Sequence, residues 1–195
     1  MLKVGITGGI GSGKTTVSAV FVSLGVPYYN ADERAKWLTE NHPDIIKEIS
    51  IEFGNQAYAF GSYNRKYIAS IVFNDKQKLI KLNQIIHPRV TEDYATFCNT
   101  HQNTPYTLKE AAILFESGSY LLLDKTILVV ADKELRIKRV CQRDHITEEE
   151  VLKRMEKQMP EEQKMKLADY IIKNNLREMI IPQVIALHKK LLSIA

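Results

Sequence analysis

The chain has 195 residues, of which 45% are hydrophobic and 26% are charged. This is about 1.3 times the length of an average domain of roughly 150 residues, so we expect one domain with insertions rather than two independent domains. The 27 basic and 23 acidic residues give a net charge of +4, which is too small and too dispersed to indicate a duplex-binding protein but suits an anionic small-molecule substrate.

The first 30 residues follow a strand, loop, helix, strand pattern. Residues 2–7 predict a short strand, a cluster of glycines follows, and residues 15–24 carry apolar side chains at helical spacing. Gly25 predicts the end of that helix, and residues 26–29 predict a second short strand. We therefore expect the first βαβ unit to close near residue 30.

From there to about residue 102 the apolar side chains recur only at helical spacing, as with Ile45 and Ile49. Pro43 and Pro88 each fit the first turn of a helix, where the missing N–H costs little. This stretch predicts an inserted helical lobe.

Strand character returns at residues 106–115 and 125–131. The second of these is almost continuously apolar, which is typical of a strand that is covered on both faces of a parallel sheet. Residues 170–172 predict a final short strand. The alternation of strands and helices predicts a doubly wound α/β core with a five-stranded parallel sheet flanked by helices.

Four helices are predicted between and after these strands. Residues 132–143 form the first, Thr147 and Glu150 make a capping box for the second, Pro160 opens the third, and residues 177–193 form the last.

Four polar features follow predicted strands: the glycine loop, Asp32, Glu116 and Asp132. Ligands of doubly wound sheets bind beyond the carboxyl ends of the strands. We therefore expect these features to face one crevice.

The run GGIGSGKT at residues 8–15 matches the phosphate-loop pattern GxxxxGK[ST], which would arise by chance only about 0.01 times in a chain of this length. Glycines at a helix N-terminus present backbone N–H donors and a positive dipole end to a phosphate chain. This loop predicts a P-loop NTPase core whose ATP-binding residues are Gly9, Gly11, Ser12, Gly13, Lys14, Thr15 and Thr16.

The same loop predicts magnesium as cofactor. Lys14 is suited to neutralise the β- and γ-phosphates, and the Thr15 hydroxyl is suited to bind Mg²⁺, whose other ligands come from water and nucleotide oxygens. The guanine-reading NKxD segment, the DxxG switch and the LSGGQ signature are all absent from the sequence. We therefore expect phosphoryl transfer to a small acceptor, in a site that closes to exclude water.

Asp32 is the leading candidate for the catalytic base. It follows the second predicted strand, where a carboxylate can take or orient the proton of an acceptor hydroxyl. The alternative is that Asp32 caps the helix that begins at Glu33.

Arg136, Arg139 and Arg143 fall on one face of the predicted helix over residues 132–143. They suit a clamp on the transferring phosphoryl group, with Arg139 the strongest candidate. The alternative is a solvated face whose arginines pair with Glu134 and Asp144.

Two further residues keep two interpretations each. Asp132 is predicted to cap the helix that follows it rather than to bind magnesium. His87, before Pro88 and Arg89, is suited to an anionic acceptor or to a structural hydrogen bond.

Other features point away from membranes and metals. The longest apolar runs have about five residues, far fewer than the roughly 18 that a transmembrane helix needs, and glycines interrupt any signal-peptide core. Cys98 and Cys141 lie far apart with no CxxC motif, so we expect reduced thiols. These features predict a cytoplasmic protein with neither a membrane nor a nucleic acid as partner.

Several short motifs occur in a set order along the chain. They are residues 6–17, Ala31-Asp32, Ile86-His87-Pro88, Leu114-Phe115-Glu116, Arg139 with Arg143-Asp144, Gln158, and Ala168-Asp169 with Asn174. In this order the sequence resembles the dephospho-coenzyme A kinase family over nearly the whole chain.

The resemblance implies transfer of the ATP γ-phosphoryl group to the ribose 3′-hydroxyl of dephospho-coenzyme A, the last step of coenzyme A synthesis. It implies that Asp32 is the base, that Lys14 and Arg139 stabilise charge, and that Arg65 and His87 help to bind the acceptor.

By the same resemblance Asn174 lies near the adenine of ATP, and the chain has three parts. These are a nucleotide-binding core at residues 1–30, 104–132 and 167–195, an acceptor-binding lobe at residues 31–103, and a lid at residues 133–166. We expect a monomer or a weak homo-oligomer.

The sequence departs from the family pattern at Asn30, Phe60, Ala112 and Lys173, where the family commonly has Asp, Asp, Pro and Asp. These changes affect the expected loop geometry more than the reaction. Two alternatives stay open from the residues alone: a kinase of another small acceptor such as a nucleoside, nucleotide or sugar acid, and a non-catalytic module that binds a nucleotide or, through residues 133–143, RNA.

Overall fold

A computed structural model of the chain describes residues 1–73 and 75–195, with Phe60 described by its backbone only. Five strands form one parallel sheet in the order β2-β3-β1-β4-β5. They are β1 (Leu2–Thr7), β2 (Tyr28–Asn30), β3 (Tyr106–Glu110), β4 (Lys125–Val130) and β5 (Tyr170–Lys173). The predicted five-stranded, doubly wound α/β sheet is confirmed.

Nine α-helices occur within residues 1–73 and 75–195. They are α1 (Lys14–Ser23), α2 (Ala31–Asn41), α3 (Pro43–Phe53), α4 (Arg65–Val72), α5 (Lys76–Thr100), α6 (Lys133–Asp144), α7 (Glu148–Glu156), α8 (Glu161–Leu167) and α9 (Ile180–Leu192). Short 3₁₀ helices cover Asn55–Gly61 and Ser119–Leu122. None of these α-helices is long and apolar enough to cross a membrane.

The central strands are apolar because both faces of the sheet are covered. Val4 and Ile6 of β1 and Ile127 and Val129 of β4 are fully buried, together with Phe21 of α1. Strand β1 pairs with β3 on one side and with β4 on the other. The carboxyl ends of β1, β3 and β4 therefore meet at one edge of the sheet, the edge from which the glycine loop leaves β1.

The chain divides into two compact units. The first, which we call the sheet unit, comprises Met1–Asn30 and His101–Ala195, and the second, the helical unit, comprises Ala31–Thr100. Helices α6, α7 and α8, in the stretch that the sequence predicts as a lid, belong to the sheet unit. The core of the helical unit includes Ile45, Ile49 and Ile68, which are almost completely buried.

The strand predicted over residues 106–115 is too long, because β3 ends at Glu110. Leu114 and Phe115 are nonetheless buried. Leu114 packs over Gly5 of β1, where a Cβ atom would lie 2.8 Å from Leu114 Cδ2. The apolar character of this segment therefore reflects burial against the sheet rather than strand pairing.

The prediction that Pro88 opens a helix is wrong. Pro88 lies in the middle of the 25-residue helix α5, where it removes one backbone hydrogen bond. The buried side chains of α5, Leu82, Val90, Tyr94 and Cys98, continue across the proline at helical spacing. This apolar stripe keeps one helix running through a residue that by itself favours a break.

The cap predictions have mixed outcomes. Thr147 and Glu150 form the predicted capping box, since the Thr147 side chain accepts from the Glu150 N–H and the Glu150 side chain accepts from the Thr147 N–H. Asp132 occupies the N-cap position of α6, but its side chain makes no capping hydrogen bond. The predicted position of Asp132 at the start of α6 is therefore confirmed, but the side-chain hydrogen bond of a cap is not formed.

Candidate active site

The glycine loop connects β1 to α1 and turns back on itself. The Gly9 carbonyl accepts a hydrogen bond from the Ser12 N–H at 3.0 Å, and the Gly13 carbonyl accepts from Val17 N–H at 3.1 Å. Lys14 is the first residue of α1, and its ammonium donates to the Gly8 carbonyl at 3.1 Å. The backbone of the loop is thus gathered at a helix N-terminus with a lysine folded over it, the arrangement that binds a phosphate chain.

Asn174 braces the loop from the end of β5. Its Nδ2 donates to the Ser12 carbonyl at 2.8 Å, and its own N–H donates to the Val130 carbonyl at 2.8 Å. Gly13 has a φ of +87°, and a Cβ atom there would overlap the Asn174 amide. Asn174 is 6% exposed, so its amide supports the loop backbone, a contact that the resemblance did not imply.

The three predicted arginines of α6 have different partners. Arg139 donates to the Gly11 carbonyl at 3.4 Å and to Asn174 Oδ1 at 3.2 Å. Arg136 donates from Nε to the Ile10 carbonyl at 3.0 Å. Arg143 is exposed and pairs with the carboxylate of Asp144 at 2.8 Å. Two of the three arginines therefore contact the loop, and the third makes one of the two ion pairs named in the alternative.

A cavity of about 370 Å³ lies beside the loop and α6. Its lining includes Gly11, Gly13, Lys14, Thr15, Thr16 and Arg139. The structure thus brings together most of the residues that the sequence predicts for ATP binding. The remaining three, Gly9, Ser12 and Asn174, belong to the same loop or support it.

Glu110, at the end of β3, is a candidate functional residue that the sequence analysis missed. Its carboxylate accepts hydrogen bonds from the hydroxyls of Thr15 at 3.3 Å, Ser18 at 2.7 Å and Tyr28 at 2.9 Å. Glu110 is 5% exposed, and these donors offset the cost of burying a carboxylate. It was missed because the predicted strand over residues 106–115 continued past it, so that the carboxylate was not recognised as lying at a strand end.

The chemistry of this donor set fits magnesium. Thr15 and Glu110 place a hydroxyl and a carboxylate side by side at the start of α1. Mg²⁺ prefers oxygen ligands and commonly takes only one or two from protein, with the rest from water and phosphates. A magnesium site of this kind therefore needs no larger acidic cluster. Within residues 1–73 and 75–195 no group of three or more His, Cys, Asp or Glu is suited to a metal.

Glu116, predicted in the crevice, forms a buried ion pair instead of an open carboxylate. Its Oε1 lies 2.6 Å from Lys164 Nζ and accepts from the Met159 N–H at 3.1 Å. Lys164 is 1% exposed. Burial opposes ionisation of Glu116, but Lys164 and the Met159 N–H together hold the pKa of this carboxyl below its usual range.

The predicted base and acceptor-binding residues lie in the helical unit. Asp32 is the second residue of α2 and is half-buried, so the alternative in which it caps the helix is wrong. Arg65 begins α4 with its side chain 57% exposed and 3.9 Å from Glu40. His87 is half-buried within α5.

The departures from the family pattern are placed as follows. Asn30 ends β2 and is in register with Glu110 of β3. Lys173 ends β5, where its N–H donates to the side chain of Gln183 at 2.9 Å. Ala112 follows β3 in the turn beyond its end. The Phe60 side chain lies outside the part of the chain that is described.

Comparisons with known proteins identify the family. The family model for dephospho-CoA kinase (CoaE) matches residues 2–178. A dephospho-CoA kinase of Chlorobium chlorochromatii is 40% identical over 181 residues, covering 89% of this chain and 85% of the relative. A dephospho-CoA kinase of Bacteroides fragilis is 36% identical over 186 residues, covering 95% of this chain and 91% of the relative.

Several solved structures have the same fold, and one of them is a dephospho-CoA kinase. The TT1252 protein of Thermus thermophilus matches with a TM-score of 0.83 and 34% identity, covering 98% of this chain and 96% of that protein. Dephospho-CoA kinase from Campylobacter jejuni matches with a TM-score of 0.72 and 26% identity, covering 98% and 97%. A shikimate kinase of Acinetobacter baumannii, at 16% identity and a TM-score of 0.53, shows only that the fold is shared.

Proposed function

The chain belongs to the dephospho-CoA kinase family, and from that premise we propose how its residues divide the work of the reaction. The protein carries out ATP-dependent phosphorylation of dephospho-CoA in coenzyme A biosynthesis. This decides against a kinase of another small acceptor and against a non-catalytic module. What remains to be assigned is the role of each side chain.

The nucleotide is held by the glycine loop in this proposal. The loop amides and the N-terminus of α1 bind the phosphates of ATP, and Lys14 and Arg139 neutralise their charge. The observation that carries this assignment is the cavity of about 370 Å³ whose lining includes Lys14, Thr15 and Arg139. In this proposal the adenine of ATP lies near Asn174, whose amide supports the loop backbone at Ser12.

Asp32 is the base in this proposal, and the ribose 3′-hydroxyl of dephospho-CoA is the nucleophile. The hydroxyl oxygen forms a bond to the γ-phosphorus as the bond to the bridging oxygen of ADP breaks, and Asp32 accepts the hydroxyl proton. Lys14 and Arg139 stabilise the charge on the transferring phosphoryl oxygens and on the departing ADP. Asp32 suits this role because it follows β2 by two residues and is partly exposed.

Thr15 is the residue that would hold magnesium, and Glu110 would position the Thr15 hydroxyl. When bound, Mg²⁺ neutralises and orients the phosphate oxygens of ATP. The Thr15 hydroxyl, at the first turn of α1, supplies one oxygen, and the Glu110 carboxylate positions that hydroxyl through the 3.3 Å hydrogen bond.

The acceptor is bound by residues 31–103 in this proposal, with Arg65 and His87 among its contacts. Arg65 carries an exposed guanidinium that suits a phosphate oxygen of dephospho-CoA. Residues 133–166 act as the lid that excludes water.

We also propose that the protein acts in the cytoplasm as a monomer or weak homo-oligomer. Its partners in this proposal are ATP and a small anionic acceptor, and not a nucleic acid.

The proposal is tested by coupled ADP release with dephospho-CoA, with and without Mg²⁺. We expect Lys14→Ala to lower kcat/KM by about 10² to 10³-fold, since it removes charge stabilisation at the phosphates, and we expect wild-type activity to need Mg²⁺. Lys189→Ala, an exposed lysine of α9, is the control. Equal activity of Lys14→Ala and the control would contradict the role of Lys14.

A further inference from the structure

Ile10, at the tip of the glycine loop, is held on both sides by side chains from other parts of the sheet unit. Its N–H donates to Gln158 Oε1 at 2.9 Å. Its carbonyl accepts from Arg136 Nε at 3.0 Å. Gln158 lies between α7 and α8, and Arg136 lies on α6. The two partners of Ile10 therefore come from different segments of the predicted lid.

These two hydrogen bonds fix the orientation of two peptide units. In a trans peptide the C=O and the following N–H point in opposite directions. By holding the Ile10 carbonyl, Arg136 also fixes the direction of the Gly11 N–H. By holding the Ile10 N–H, Gln158 also fixes the Gly9 carbonyl, which accepts from the Ser12 N–H at 3.0 Å.

The loop needs such external support because glycines flank Ile10 on both sides. Gly9 and Gly11 rotate more freely than other residues, and Gly11 adopts a φ of +78°. A Cβ atom on Gly9 would overlap the Arg136 guanidinium, so glycine leaves room for Arg136 in this position. Gly9 thus makes the backbone flexible and also leaves room for the Arg136 side chain that restrains it.

Arg136 and the backbone beside Gln158 make further contacts. Arg136 is 11% exposed, and its Nη1 pairs with Glu161 Oε2 at 3.1 Å. Met159, next to Gln158, donates its N–H to the half-buried Glu116, which also pairs with the buried Lys164 of α8. The Arg136 side chain and the segment that carries Gln158 are therefore each held by contacts beyond the loop.

We propose that Gln158 and Arg136 are positioning residues that orient the peptide units on either side of Ile10, so that the loop amides are aimed before ATP binds. The effect on catalysis rests on the proposed ATP-binding role of the loop. The pair acts through the backbone and needs no contact with ATP. Amides that are oriented in advance bind phosphate without the cost of ordering them.

The first test is made on the ligand-free protein and does not depend on the proposed function. We expect Gln158→Leu to increase the hydrogen-exchange rate of the Ile10 amide by about tenfold or more and to shift the Ile10 and Gly11 ¹⁵N resonances. Gln158→Glu keeps an oxygen acceptor and should retain the slow exchange. Gln163→Leu, an exposed glutamine of α8, is the control.

Exchange at Ile10 that is the same in Gln158→Leu and in the control would overturn the proposal, whatever the activity of the variants. Slow exchange at Ile10 in a wild-type protein that does not bind ATP would instead leave the positioning pair in place and contradict the proposed function. The two failures are therefore distinguishable.

The second test is kinetic. We expect Gln158→Leu and Arg136→Met each to raise the KM for ATP by about tenfold, with kcat changed much less, because the loss concerns binding of the phosphates. In the double variant the KM for ATP should rise by less than the product of the two single increases, since both side chains act on the same residue. Lys138→Met, which changes an exposed lysine of α6, is the control. Increases in KM that multiply fully in the double variant would contradict the proposal that both side chains act on Ile10.

Discussion

The two units of the chain use their polar side chains in different ways. In the sheet unit, polar side chains bind the backbone of the glycine loop, as Asn174 does at the Ser12 carbonyl and Arg136 at the Ile10 carbonyl. In the helical unit, charged side chains pair with one another, as some in the sheet unit also do. Arg34 makes a two-pronged contact with Asp93, at 2.6 and 2.8 Å.

The difference follows from where each unit leaves backbone groups without partners. Helices satisfy their own N–H and C=O groups except at their ends. A glycine loop that must present amides to a phosphate cannot satisfy them in the same way, so other side chains hold it. We therefore expect changes near the loop to alter catalysis or binding, and changes to the pairs in the helical unit to have small effects.

The largest effect is expected at Asp32, which belongs to the helical unit but lies just beyond its first residue. If Asp32 is the base, Asp32→Asn should lower kcat by about 10³-fold, within the usual range for general base catalysis, while the affinity for ATP stays unchanged. Coupled ADP release and nucleotide titration measure the two quantities. This variant tests whether functional polar side chains extend into the helical unit.

Asp44→Asn is the matched control, since Asp44 is an exposed aspartate in the first turn of α3. Turnover of Asp32→Asn close to that of the control would remove Asp32 as the base. Loss of ATP affinity together with kcat would show that Asp32 acts on the nucleotide instead.

The buried pair of Glu116 and Lys164 should give the next largest effect, on stability. Lys164→Met leaves Glu116 without its cationic partner, and breaking a buried pair in this way costs about 3 kcal/mol. For a protein of this size we expect Tm to fall by roughly 6 to 12 °C at neutral pH. Thermal unfolding measures this shift, and Lys166→Met, an exposed lysine of α8, is the control.

The pKa of Glu116 predicts how the difference in Tm between wild type and Lys164→Met depends on pH. The pKa of Glu116 is held below its usual value of 4.5 in the folded protein, so the pair stabilises the wild type above that pH and the stabilisation is lost as pH falls through the lowered pKa. The difference in Tm between wild type and Lys164→Met should therefore narrow below about pH 4.5. A difference that stays constant to low pH would contradict the role of Glu116.

The fold could be predicted because its signals are local. Residues 2–7 and 125–131 carry the apolar character of buried parallel strands, and the capping box of Thr147 and Glu150 marks a helix start. Two local signals failed because tertiary packing overrode them. The apolar stripe of α5 continues through Pro88, and Leu114 is apolar because it packs over Gly5.

The site could be predicted only where its residues are neighbours in the sequence and form a recognisable motif. The glycine loop and its lysine are such a motif, but the hydrogen bonds that support the loop come from residues more than 120 positions away, such as Arg136 and Gln158. Glu110 likewise contacts Thr15 across 95 positions. Spacing along the chain carries no information on such contacts, since the order of the strands in the sheet sets them.

The smallest effect is expected at Lys78, which pairs with Glu52 at 2.7 Å in the helical unit. Both side chains are more than 30% exposed, and the pair lowers the pKa of Glu52 and raises that of Lys78. Exposed pairs contribute little because water screens them and their side chains lose freedom. We expect Lys78→Met to change Tm by no more than about 2 °C and to leave kcat unchanged.

Lys47→Met, an exposed lysine of α3 for which the described contacts include no side-chain partner, is the matched control for this measurement. A fall in Tm as large as that expected for Lys164→Met would mean that the helical unit depends on its charged pairs as strongly as the sheet unit depends on its buried one. The two units would then not differ in how much ion pairs contribute to their stability. They would differ only in whether their polar side chains bind the glycine loop.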